Sequence, residues 1–222
     1  MNITLSEIDH LKMAKATNEK QVTILGSTGS IGCNTLDLIS RDKDGYNLKA
    51  LTAHKNVKKL SEQAVEFNAE MAVIADETLF DDLKSALAGT GIIAAAGKEA
   101  LNEAADMPAD WVMSSIVGAA GLKPTLTAIR RGATIALANK ECLVCAGDFM
   151  MDQVKESGAT ILPVDSEHNA IFQIFDFEHP ESIEKITLTA SGGPFYNTDI
   201  AEMEAITPTE AVLHPNWSMG AK

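Results

Sequence analysis

The sequence predicts an α/β fold: a Rossmann-like, doubly wound parallel sheet followed by the beginning of a second, α+β catalytic domain. Three observations carry this. Short apolar runs alternate with helical patterns as far as Pro163. A glycine-rich turn follows the first apolar run directly. The residues are 45% hydrophobic but only 5% aromatic, a mix that suits aliphatic strands buried on both faces of a parallel sheet.

The first strand is expected at Gln21–Leu25, ahead of the turn, with a helix at Ile31–Ile39 behind it. A second strand at Leu48–Ala53 precedes an amphipathic helix, Val57–Phe67, whose Val57, Leu60, Ala64 and Phe67 recur at helical spacing. A third strand, Met71–Ala75, leads to a helix at Leu79–Leu87, and a fourth, Ile92–Ala95, to one at Lys98–Ala104. The strands Trp111–Ser114, Ala133–Leu137 and Thr160–Pro163 complete the series, separated by helices at Leu122–Arg130 and Leu143–Lys155. Beyond Pro163 the alternation breaks. A short apolar helix (Ala170–Phe175), a strand (Lys185–Ala190), a turn-rich stretch (Ser191–Thr198) and short helical pieces near Pro208 and Pro215 follow. The division is therefore a polar extension over 1–19, a nucleotide-binding domain over 20–164, and the start of a catalytic domain over 165–222, short for an independent domain.

The formal net charge of −13 argues against nucleic acid and anionic membranes as partners. It also demands that any phosphate site be locally basic, rich in backbone N–H donors or metal-loaded. No stretch approaches the ~18 apolar residues of a membrane span. Three cysteines and an N-terminus without an apolar core run point to a reducing cytoplasm.

Gly26-Ser27-Thr28-Gly29-Ser30-Ile31-Gly32 lies between the first strand and the first helix. Such a turn lets backbone N–H groups and a helix N-terminus meet a pyrophosphate. The other reading is a plain tight turn capped by Ser30. The second strand ends in His54-Lys55-Asn56. An acidic residue there would bind the ribose hydroxyl of NAD, whereas Lys55 can neutralise the 2′-phosphate of NADPH; as an ordinary solvated lysine it would do neither.

Asp165-Ser166-Glu167-His168-Asn169 is the densest polar cluster. In an extended backbone Asp165 and Glu167 share a side, and paired carboxylates suit Mg²⁺ or Mn²⁺. A surface turn capping the next helix remains equally open, and His168 reads as a supporting residue rather than a ligand. Asn139-Lys140-Glu141 puts an amide, an ammonium and a carboxylate at the same rim, where Lys140 could hold a substrate oxygen or simply open a helix. Ser191-Gly192-Gly193-Pro194 can wrap an anion or serve as a flexible turn. His214 to Gly220 carries Trp217 and Met219 among small residues, as a lid over a ligand would, although Trp217 could equally pack on the core. Cys142 and Cys145 form a CxxC without a second pair and read as small helix-face residues.

The segments VTILGSTGSIG, IVGAAGL, ALANKE, LPVDSEHNAIFQ, SGGPF and HPNWSMG, in this order from about Gln21 to the last residue, resemble the 1-deoxy-D-xylulose 5-phosphate reductoisomerase family. The resemblance implies NADPH contacts from Thr28, Gly29, Ser30, Ile31, His54, Lys55, Asn56, Asn139, Glu141 and Gly220. It implies Asp165 and Glu167 as metal ligands, and Lys140, Ser166, Glu167, Ser191 and His214 as substrate contacts. It further implies a mobile flap from Ser191 to about Gly220, with Trp217 over a sugar phosphate, and a homodimer at full length. The chemistry implied is a metal-assisted carbon–carbon rearrangement followed by reduction with NADPH. The family continues past this point with a third metal-binding Glu, more phosphate-binding residues and a helical C-terminal domain. Stand-alone activity of these 222 residues is therefore not expected. Many members carry Arg where Ala221 stands. Two rivals remain: an NADPH oxidoreductase of the aspartate-semialdehyde type, which would use a catalytic Cys and no metal, and a non-catalytic NADPH-binding fragment.

Overall fold

A computed structural model describes residues 19–188 and 193–213. Seven parallel strands form one sheet: β1 (Lys20–Leu25), β2 (Tyr46–Ala53), β3 (Met71–Ile74), β4 (Ile93–Ala96), β5 (Trp111–Ser114), β6 (Thr134–Leu137) and β7 (Thr160–Pro163). Their spatial order is β4-β3-β2-β1-β5-β6-β7. The chain thus builds outward from β1 to β4, returns to lay β5 against the other side of β1, and builds outward again. That reversal makes a crevice at the carboxyl ends of β1 and β5, where open α/β sheets take ligands.

The helices between strands are α1 (Ser30–Ser40), α2 (Val57–Glu66), α3 (Phe80–Ala86), α4 (Gly97–Asp106), α5 (Leu122–Arg130) and α6 (Glu141–Ser157). They cover both faces, and strand alternation shows it. Val22 and Ile24 of β1 enter a core with Leu36, Leu51, Leu60 and Leu83. Leu25 enters the opposite one, with Val112, Ile129, Ile135 and Met150. Each of Val22, Ile24 and Leu25 is fully buried, which explains why β1 reads as a continuous apolar run. Burying Ile24 or Leu51 stabilises the fold by about 1.5–3 kcal/mol each.

The elements depart from the sequence reading where apolar periodicity is silent. β2 starts earlier, because Tyr46 and Asn47 pair with Lys20 and Gln21 of β1. α6 is longer than expected and is interrupted at Ala146, whose φ of −150° and ψ of 33° are not helical. The helix expected at Ala170–Phe175 is α7 (Ser166–Ile174). Its first turn is the polar stretch Ser166–Asn169, which carries no apolar signal. The strand expected at Lys185–Ala190 does not form over residues 185–188; Ile186 and Leu188 are exposed there. Alternation alone cannot make a strand without a neighbour to accept its backbone hydrogen bonds.

The chain divides into two compact units between Asp165 and Ser166. The second holds α7, two short 3₁₀ turns at Pro180–Ser182 and Ile200–Ala205, and α8 (Pro208–Ala211). Phe172 and Phe175 both stack on Phe177, with ring centroids 5.6 and 4.7 Å away. Thr207 and Glu210 close a reciprocal capping box on α8, where Pro208 takes the first helical position. Apart from Glu19, the extension expected over 1–19 lies outside the described residues.

Candidate functional site

The three glycines of the first turn do three different things. Gly26 sits at φ +90°, and a Cβ there would lie 3.0 Å from the Ser115 carbonyl oxygen. It allows the end of β1 to run against the segment after β5, whose Ser115 hydroxyl donates to the Leu25 carbonyl at 2.7 Å. Gly32 lies inside α1, where a Cβ would come within 2.4 Å of the Gly26 carbonyl oxygen and 2.5 Å of the Ser27 Cα. It is a packing glycine. Gly29 is different: a Cβ there would meet only the Gly26 carbonyl oxygen, at 3.4 Å.

Gly29 is the N-cap of α1, with extended backbone and no side-chain cap, and the first turn holds no acidic residue. Ser30 is the first helical residue, so the reading of a Ser30-capped turn does not hold. The exposed end of α1 presents backbone N–H groups and a partial positive charge with no side-chain cap among the described residues. That is a receptor for an anion.

The second turn, His54-Lys55-Asn56, follows β2 at the same rim. Asn56 is the N-cap of α2, its side chain accepting from the Lys59 amide at 3.1 Å. The Lys55 ammonium lies 3.7 Å from Asp76, just after β3. Asp76 also accepts from the Thr78 hydroxyl at 2.6 Å and the Thr78 amide at 3.1 Å. The Thr78 hydroxyl bond, then the Thr78 amide, hold its carboxyl below the ordinary value; desolvation opposes them, and Lys55 adds a smaller pull downward. Lys55 is thus aimed across the rim by a carboxylate while remaining largely exposed.

Between the two turns lies a cleft of about 390 Å³ lined by Gly26, Thr28, Gly29, His54, Leu101 and Ile116, among others. Thr28, Gly29 and His54 belong to the turns singled out by sequence; Leu101, Ser115, Ile116, Val117 and Ala120 also line it and were given no role. The signal that could have found most of them is the position of Ile116–Gly121 directly after a strand beside β1, the switch point itself.

Asn139 stands behind this lining. It is 3% exposed, and its amide donates to the carbonyls of Ile116 and, at 2.8 Å, Gly118. Its carbonyl oxygen is buried without a hydrogen-bond partner among the described residues. A Cβ on Gly121 would lie 2.5 Å from the Asn139 amide nitrogen, so the loop folds tightly over Asn139. Lys140 caps the N-terminus of α6 and Glu141 occupies its first turn.

For Asp165 and Glu167 the strand-alternation argument fails. β7 ends at Pro163 and the helix begins at Ser166, so the segment is not extended. The Ser166 hydroxyl is 3.1 Å from Glu167 Oε2. Among the described residues no three His, Cys, Asp or Glu side chains gather as a metal cluster. Ser191, His214, Trp217 and Gly220 lie outside the described residues.

The cysteines separate by environment. Cys142 is fully buried, and burial, then Cys145 and Glu141, pushes its thiol up to about 11; Cys145 is exposed. We expect iodoacetamide at pH 8 to alkylate Cys145 first and to leave Cys142 unmodified in the folded chain. Peptide mapping showing equal labelling would mean that α6 opens at its Ala146 interruption.

Comparison with known proteins fits this arrangement. The family model for 1-deoxy-D-xylulose 5-phosphate reductoisomerase matches residues 22–147, and the model for that enzyme's C-terminal domain matches residues 161–222. The reductoisomerase of Zymomonas mobilis is 60% identical over 203 residues, covering 91% of this chain and 52% of that enzyme. That of Rhodospirillum centenum is 59% identical, with 91% and 50% covered. The solved Zymomonas mobilis structure, a complex with NADPH, superposes with a TM-score of 0.83 at 58% identity, covering 88% of this chain and 52% of that one. A reductoisomerase complex with NADPH, fosmidomycin and magnesium superposes with a TM-score of 0.78 at 42% identity, covering 90% and 52%. The chain spans about half the length of these relatives. With the first model matching more than half of the chain and the second following it in order, this chain belongs to the 1-deoxy-D-xylulose 5-phosphate reductoisomerase family.

Proposed function

We propose that this chain supplies the NADPH-binding domain, and part of the metal and substrate site, of an enzyme that converts 1-deoxy-D-xylulose 5-phosphate to 2-C-methyl-D-erythritol 4-phosphate. The observation that carries the cofactor reading is the cleft at the switch point, with an uncapped helix end on one side and Lys55 on the other. The fit to a dinucleotide is good. Thr28 and Gly29 border the cleft, and the amides of Ser30 and Ile31 at the helix end take the pyrophosphate. His54, Lys55 and Asn56 take the adenosine end, with Lys55 leaving Asp76 for the 2′-phosphate. Asn139 holds the Ile116–Gly118 loop against the cofactor, while Glu141 and Gly220 complete its contacts.

Asp165 and Glu167 would provide two of the ligands of Mg²⁺ or Mn²⁺. Two carboxylates are compatible with such an ion but do not complete its shell of about six oxygens. NADPH would supply the hydride and the ion a Lewis acid. Lys140, Ser166, Glu167, Ser191 and His214 would hold and orient the sugar phosphate, and Trp217 would exclude water from it. Homodimer formation and a cytoplasmic location belong to the same proposal. The low cysteine count supports the location, and the net charge of −13 supports a small anion met at a local site over nucleic acid or membrane. Among the described residues no helix is long and apolar enough to cross a membrane.

Calorimetric titration with NADPH and NADH tests the cofactor reading. NADPH should bind more tightly, and Lys55→Glu should weaken it by about 1–2 kcal/mol. That is the lower part of the range for a charge-assisted bond to phosphate, because Lys55 is 64% exposed and screened by solvent. NADH should lose little. Equal affinities for the two cofactors in the native chain would remove the role given to Lys55.

A further inference from the structure

Beneath the first turn lies a buried polar lock that the proposed contacts do not include. Ser27 is fully buried and Gln63 is 9% exposed. The Ser27 hydroxyl donates to Gln63 Oε1 at 2.8 Å, and Gln63 Nε2 donates back to the Ser27 carbonyl at 3.1 Å. That amide also reaches Cys33 Sγ at 3.7 Å, and the Cys33 thiol donates to the Ser27 carbonyl at 3.4 Å. From the other side, β2 holds the same turn. The Ser27 amide donates to the Thr52 carbonyl at 2.8 Å, and the Gly26 amide to the Thr52 hydroxyl at 2.9 Å.

Gln63 is a glutamine on a helix face that otherwise packs apolar residues. Leu60 and Ala64, its neighbours on that face, are fully buried. A buried primary amide is retained at a stability cost unless its bonds are made, and this one makes its two shorter bonds to the side chain and backbone of Ser27. α2 begins directly after His54-Lys55-Asn56, and Asn56 caps it. One rigid helix therefore carries the turn for the adenosine end at its start and the clasp on the pyrophosphate turn at its second turn.

We propose that Gln63 is a positioning residue for the dinucleotide: it fixes the Gly26–Gly32 turn and sets its spacing from the His54–Asn56 turn, so that pyrophosphate and 2′-phosphate are received together. This rests on the NADPH reading above. Gln63 does not line the cleft; it acts through Ser27 and α2. Preorganised turns bind more tightly because ordering is not deferred to the binding step.

The near-isosteric variant Gln63→Met removes both bonds and leaves the Ser27 hydroxyl only its longer bond to the Thr52 carbonyl, at 3.3 Å. The double variant Gln63→Met/Ser27→Ala removes that weakly bonded hydroxyl as well, so its melting temperature should be no lower than that of Gln63→Met. NADPH affinity should stay roughly tenfold weaker in both variants. Adenosine 2′-phosphate, which spans only the second turn, should keep its affinity. Hydrogen exchange on the native chain without cofactor adds a readout that needs no variant: the Gly26 and Ser27 amides should exchange as slowly as core strand amides. The inference is overturned if NADPH affinity recovers together with the melting temperature, if both ligands weaken alike, or if the two amides exchange as fast as an open loop. A native chain that binds adenosine 2′-phosphate and NADPH no better than NADH overturns the cofactor reading as well, and so separates the two failures.

Discussion

The purified 222-residue chain is expected to bind NADPH and yet to oxidise none of it when given substrate and Mn²⁺. Of the proposed cofactor contacts all but Gly220 belong to the first compact unit, as do both turns and the cleft between them. The proposed metal site is less well provided for. On the proposed reading Asp165 and Glu167 would offer two carboxylates, and a hard divalent ion takes about six oxygens. Water must fill the other positions, and the desolvation of the ion is then poorly offset, so Mn²⁺ binding should be weak. The chain also spans about half the length of its relatives, and a sugar phosphate held only by these residues has few anchors. Reduction needs metal, substrate and NADPH in one reacting geometry, and the effective molarity that such placement supplies is worth about 7–11 kcal/mol of barrier. Losing most of it lowers the rate by more than five orders of magnitude, which is below detection. Absorbance at 340 nm decides the question, with a full-length relative as positive control. Robust turnover that Asp165→Asn abolishes would show that 222 residues suffice.

The sheet was legible because buried parallel strands and their helices carry opposite periodicities. Val22, Ile24 and Leu25 announce a strand covered on both faces, and Val57, Leu60 and Ala64 a helix with one apolar stripe. What stayed illegible were decisions made by partners rather than by local pattern. Tyr46 and Asn47 are in β2 because β1 offers hydrogen bonds there. Ile186 and Leu188 are in no strand, and among the described residues no neighbour pairs with them. The Ser166–Asn169 turn is helical without an apolar signal, which removed the extended-chain argument for pairing Asp165 with Glu167. The two turns at the rim of the cleft were legible because glycine spacing and a lysine after β2 stand out in the sequence itself. Ser115, Ile116 and Gln63 were not, since their roles depend on which segments the fold places side by side. A buried Gln on α2 looks from sequence like an error in the apolar stripe; only the position of Ser27 beside it explains its presence.

The other large effect separates two glycines that the sequence motif treats alike. Gly32→Ala should damage folding and Gly29→Val should damage binding. At Gly32 the added Cβ meets backbone, 2.4 Å from the Gly26 carbonyl oxygen and 2.5 Å from the Ser27 Cα, and no side-chain rotation relieves it. α1 would have to move off the turn, against the core contacts of Leu36 and Ile39, at a cost of about 3 kcal/mol. For a chain of this length that lowers the melting temperature by roughly 6–12 °C. Gly29 has extended backbone at φ −74° and ψ 172°, a conformation valine adopts readily. Its Cβ would meet nothing closer than 3.4 Å, so the cost is that of a poor N-cap, about 1 kcal/mol. In the bound state the isopropyl group would stand where the pyrophosphate approaches the exposed end of α1. With two or three bonds to charged oxygens lost, NADPH affinity should fall by roughly two orders of magnitude. Melting temperature and NADPH affinity measured on both variants give a crossed result: Gly32→Ala less stable than Gly29→Val, and Gly29→Val, though folded, the one that no longer holds NADPH. If Gly29→Val melts as low as Gly32→Ala, the first turn needs that glycine for its own backbone, and the reading of Gly29 as the open face of an anion site fails.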